Sequence, residues 1–220
     1  MRDALLIIFG WLLGMLGGPI TTAFRQRHTA SVLAEAIVTE LREVRSQLVG
    51  SAYYIWDWLG TNDRERMKWA ASLLEKVPQN PHTSRMAGNI REALKLTTPE
   101  IAALMERTKE KGTTVSIRKV ELPFLTAHLH ELTVFSPASQ SALLAVLTQA
   151  RFFNEQVEAH AAYHLLTFQQ GISSENCQAA SASATKLEEI LADRARDVSD
   201  MIDGVEPSWG WWPWRSSRKT

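Results

Sequence analysis

Four side chains in the middle of this chain, His128, Glu131, His160 and His164, have the types and spacing that could hold a divalent metal. His160 and His164 stand one helical turn apart in the segment HAAYH, so their imidazoles share one face of a helix, while His128 and Glu131 sit on the segment before it. Zinc needs three or four such ligands converging on one point, which requires the two segments to pack side by side. The pattern departs from known helical metal motifs. A zincin carries glutamate directly after its first histidine, where this chain has Ala161, and no pair of Glu-x-x-His motifs for a di-iron site occurs. A hydrogen-bonded core histidine explains His164 without a metal, and no cofactor is expected.

Other chemistry is absent from the pattern. There is no glycine-rich phosphate loop, no nucleophile elbow and no paired-cysteine motif. Cys177 is the single cysteine, so the chain has no internal disulfide framework, and without a basic neighbour it reads as a structural thiol. Asn154 falls in the same apolar stripe as His164 and reads as a polar residue that fixes pairing in a helical hairpin. The formal net charge is zero, with 24 basic and 24 acidic residues, so no global field recruits nucleic acid.

The segments best marked for contact lie near the two ends. Ala4 to Phe24 is an uncharged, mostly apolar run of about 21 residues, which as a helix reaches roughly 31 Å, the thickness of a bilayer's hydrocarbon core. A cleaved secretory signal is the rival reading. It is disfavoured because Arg2 is offset by Asp3, Thr21-x-Ala23 is a poor small-x-small site, and Ile20 and Phe24 carry the apolar run past Gly17-Gly18-Pro19. Arg25, Arg27, Arg42 and Arg45 follow the run, which puts the larger part of the chain on the cytoplasmic side. Gly10, Gly14 and Gly18 recur every fourth residue and form a stripe that lets another helix approach closely. In the tail, Trp209, Trp211, Trp212 and Trp214 alternate with Gly210 and Pro213 and precede Arg215, Arg218 and Lys219. Glycine and proline exclude a regular helix there, and indoles beside basic side chains suit either a lipid interface or a subunit contact.

Helices must position all of these. Leu33, Ile37, Leu41, Val44, Leu48 and Ile55 recur at helical spacing from Thr29, with Glu35, Glu40, Arg42, Glu43 and Arg45 on the other face. Gly60 to Asp63 breaks that helix and caps a second one, predicted through Val77. Pro78 to Thr83 reads as a loop, followed by a helix from Ser84 or Arg85 to Leu96. Thr98 reads as the N-cap of a helix with Pro99 at its first position, ending near Gly112. Thr113 to Leu122 alternates like a strand but has no partner strand in the sequence, so it reads as an irregular connection. Pro123 opens a helix that Ser136-Pro137 closes. Two long patterns, roughly Ala138 to Gln170 and Ser174 to Gly204, joined by a short turn at Gly171, predict an antiparallel hairpin with a coiled-coil-like seam.

The expected fold is all-α: an N-terminal transmembrane helix, then an elongated helical bundle ending in a long antiparallel hairpin. Its organisation reads as an anchor with a basic flank over 1–28, a bundle over 29–205 and a Trp/Arg-rich tail over 206–220. The expected role is protein–protein contact at the cytoplasmic face of a membrane, with lipid and a second copy or another membrane protein as partners. An anchored metal-dependent enzyme and an exported helical protein are the alternatives.

Overall fold

A computed structural model of the chain describes the backbone of residues 2–76, 81–109 and 117–208 and, within these, the side chains of 28–76, 81–108 and 117–205. Among the described residues every regular element is a helix, and there is no strand. The helices are α1 (Arg2–Trp58), α2 (Arg64–Leu74), α3 (Pro81–Leu94), α4 (Thr98–Lys109), α5 (Pro123–Ala127), a 3-10 helix (Leu129–Val134), α6 (Pro137–Leu166) and α7 (Ser174–Ser208).

Two apolar clusters organise them. The larger joins α1, α5, the 3-10 helix, α6 and α7 around Ile37, Leu41, Leu48, Phe153, Leu191 and Val198. The smaller packs α2, α3 and α4 on another side of α1, around Val49, Met67, Met86, Ile90 and Met105. Trp69 of α2 touches both clusters, packs edge-on against Trp56 at 5.5 Å, and donates its indole N–H to Asp200 of α7 at 2.7 Å.

Side-chain pairs fix the direction of the long helices. Arg45 Nη1 donates to Asp203 Oδ1 at 2.9 Å and Trp58 Nε1 donates to Glu188 Oε2 at 3.2 Å, so α1 and α7 run antiparallel. Arg194 reaches Gln149 at 2.8 Å and His160 meets Glu188 at 3.0 Å, so α6 is antiparallel to α7 as well. The N-terminal part of α1 and the C-terminal end of α7 therefore leave the core at one end. The α6–α7 turn, with positive φ at Gly171, lies at the other end, where Leu165 and Phe168 are 69% and 71% exposed.

Several local expectations shift. α4 is capped by Thr97 rather than Thr98, because Glu100 reaches back to the Thr97 N–H and hydroxyl, both at 2.7 Å. α3 begins at Pro81, whose missing donor is harmless at a first helical position, so Thr83 is buried in a helix instead of lying in a loop. α2 ends at Leu74, and Asp63 is its cap, accepting from Arg66 N at 2.8 Å. Arg45, assigned by spacing to the outer face of α1, is fully buried between α1 and α7. The helix expected from Pro123 is broken at His128 into α5 and the 3-10 helix, with Glu40 accepting from the N–H groups of Phe124 and Leu125 at 2.7 and 2.8 Å. Among the described residues no helix is long and apolar enough to cross a membrane. The side chains of Ala4 to Phe24, with the Gly10, Gly14 and Gly18 stripe, lie outside the described residues, as does the tail from Trp209.

Candidate functional site

Hydrophobic periodicity brings α6 and α7 together, and it buries two ionisable side chains between them. Glu188 stands four residues after Ala184 and three before Leu191, inside the apolar register of α7, and is 8% exposed. A carboxylate at such depth needs partners. One oxygen of Glu188 accepts from His160 Nε2 of α6 at 3.0 Å, and the other accepts from the Trp58 indole N–H at the end of α1 at 3.2 Å. A carboxylate can only accept, so the His160 ring carries its proton on Nε2. Three helices are clamped at one level by this single side chain. Beyond it, the rings of His160 and His164 lie 6.1 Å apart at 27°, and His164 leans on Phe168 at 5.1 Å.

The four residues proposed for a metal are not brought together. His128 Nδ1 is bonded to Phe124 O at 2.8 Å, with its ring stacked on Phe124 at 4.1 Å, and Glu131 faces His130 at 3.5 Å. His160 is held by Glu188, and His164 is occupied by ring contacts. Among the described residues no three His, Cys, Asp or Glu side chains are grouped as metal ligands would be. Sequence reasoning missed Glu188 and Trp58. The available signal was an acidic residue in register with Ala184 and Leu191, beside a Leu187 that is only half-buried.

Asn154 takes a different part from the one its spacing suggested. Its Oδ1 accepts from Val120 N at 2.9 Å and its Nδ2 donates to Val120 O at 2.7 Å. The carboxamide thus does for one residue what a neighbouring strand would do, and it answers how an extended segment without a partner strand satisfies its backbone.

Two cavities open elsewhere. One of about 290 Å³ lies between α1 and the segment 119–123, lined by Glu40, Glu43, Glu121 and Lys119. The other, about 380 Å³, lies between the α1–α2 turn and α4, beside Asn62 and Met105. Neither is lined by His160 or Glu188. The amide of Asn62 is buried beneath the turn, so a ligand in that cavity meets the turn's other atoms rather than this amide. Near the same turn, burial raises the pKa of Asp57 despite a favourable contribution from Asn62. Burial also pushes the Tyr53 phenol up to about 12, with Asp57 and then Tyr54 adding to the shift.

Chemically, the enclosed His160–Glu188–Trp58 arrangement holds helices in place and offers no open reaction site. Comparison with family models, curated proteins and solved structures gave no match, so the chain's own geometry carries the functional reading.

Proposed function

We propose that this chain is a membrane-anchored helical interaction protein, held by Ala4 to Phe24 and working through protein–protein contacts at the cytoplasmic face. The observation that carries the reading is the antiparallel run of α1 and α7, which makes the N-terminal part of α1 and the end of α7 leave the core together. In sequence, an apolar run of bilayer length makes up the first part of α1, and a tail of four tryptophans with Arg215, Arg218 and Lys219 follows α7. In this reading the tail meets lipid headgroups or a neighbouring subunit, and Gly10, Gly14 and Gly18 pack against another span. Partners are lipid and a second copy or another membrane protein, and no nucleic acid is involved.

Fractionation of the full chain with intact-mass analysis and protease protection tests this. A carbonate-resistant product retaining Met1 to Phe24, with the bundle shielded from external protease, is the expected result. A product beginning near Phe24 and released in soluble form would overturn the anchor and favour the exported alternative.

A further inference from the structure

The seven residues of α6 buried in or against the core, from Leu143 to His160, account for one side of that helix. The opposite side carries a second apolar stripe, which a helix facing water does not need. Leu144, Phe152, Tyr163 and Leu166 on this side are 47%, 46%, 39% and 39% exposed. With Thr148, Glu155 and Ala159 they form a repeat in which Leu144, Glu155 and Leu166 are eleven apart, as are Phe152 and Tyr163. An 11-residue period keeps a stripe nearly straight along a helix, with at most a slight right-handed drift, so these residues make one continuous band.

We propose that this outer face of α6 is the surface through which two copies of the chain associate, with the two α6 helices antiparallel about a two-fold axis at Glu155. Charge favours this occupant and this direction. Arg151 and Glu158 lie on one flank of the band, while Gln149 and Gln156 lie on the other. Antiparallel helices bring like flanks together, whereas parallel helices bring opposite flanks together. Only the antiparallel pairing sets Arg151 beside Glu158 of the second copy, and symmetry makes that pair twice. Arg151 is exposed and has no ion pair among the described residues, and Glu158 is engaged by Lys119 through Oε1 alone. The same axis sets Leu144 against Leu166 of the second copy and the bulky Phe152 beside the small Ala159. One pairing is unfavourable, because Glu155 meets its own copy at the axis. A band roughly 33 Å long and one helix wide buries on the order of 1,000 Å² over both copies, at the lower edge of specific interfaces. The dimer is therefore weak and reversible.

This inference rests on the interaction-protein reading by naming its partner and surface, but it does not need the anchor, so the two can fail separately. The test uses the full chain in mild detergent with Cys177→Ser, carrying Leu144→Cys or Leu166→Cys. A disulfide dimer should form when the two variants are mixed and not with either alone. Sedimentation should show Glu155→Leu associating at least tenfold more tightly and Phe152→Glu at least tenfold more weakly, with helical content unchanged by circular dichroism. A link from Leu144→Cys alone would mean parallel pairing, and no link in the mixture would mean another occupant or none. Either result, or no tightening by Glu155→Leu, would overturn the proposal.

Discussion

The cluster around α2, α3 and α4 and the bundle of α1, α6 and α7 are held by different means. In the smaller cluster, polar contacts are mostly local and involve the backbone. Asp63 caps α2, Glu100 closes the start of α4 on Thr97, and Arg64 donates to Leu94 O at 3.0 Å and to Leu96 O, tying the start of α2 to the end of α3. In the bundle, polar contacts join side chains of different long helices: Arg45 with Asp203 and Trp58 with Glu188 lie more than a hundred positions apart, while His160 with Glu188 and Gln149 with Arg194 tie α6 to α7 across their shorter connection. Three methionines fill much of the small core, while the large one uses branched and aromatic side chains in long registers. Local contacts can define each short helix early, and α6 and α7 can pair across their short turn, but α1 takes its place beside α7 only when chain ends distant in sequence meet.

Substitutions sharpen this difference. Glu188→Leu should have the largest effect, because it leaves both the Trp58 indole and His160 without their shared acceptor. A loss of about 3 to 5 kcal/mol in denaturant unfolding is expected. Asn154→Leu should cost about 2 to 3 kcal/mol and speed amide exchange at Val120, whose backbone groups it leaves bare. An unchanged exchange rate would show that another group takes over. Asp63→Ala in the small cluster should cost about 1 kcal/mol, the usual worth of a cap, and a much larger loss would erase the contrast between the regions. Tyr53→Phe should matter least at neutral pH. Because burial lifts the folded phenol from its ordinary 10.0 to about 12, the unfolded state releases its proton first, and stability falls as pH rises through this interval. Unfolding of Tyr53→Phe should lose that part of the alkaline decline while matching the parent below pH 9.

These two regions were also unequally legible from sequence. The long apolar registers of α6 and α7 were plain because burial repeats over many turns, and the turn at Gly171 separates them cleanly. Shorter helices were displaced by a few residues where a cap competed with its neighbour, as Thr97 did with Thr98. The polar residues inside the bundle were the hardest to assign. Arg45 sits among Arg42 and Glu43, so composition places it outside, and the carboxylate of Asp203, on a helix far along the chain, helps to make its burial tolerable. The histidines drew attention to a metal because spacing reports what one helix can present. It does not report that Glu188, on a different helix, takes the His160 proton donor first.

The continuity of α1 has a mechanical consequence. Its backbone is helical without a break from Arg2 to Trp58, and from Leu33 onward it is built into the core. A flexible linker at this point would let the body sweep a wide volume around its root. In the proposed membrane-anchored arrangement, a helix that enters the core unbroken would act instead as a mast, setting the height and heading of the outer face of α6, so that an encounter with a partner would depend less on angular search than on the partner's matching height.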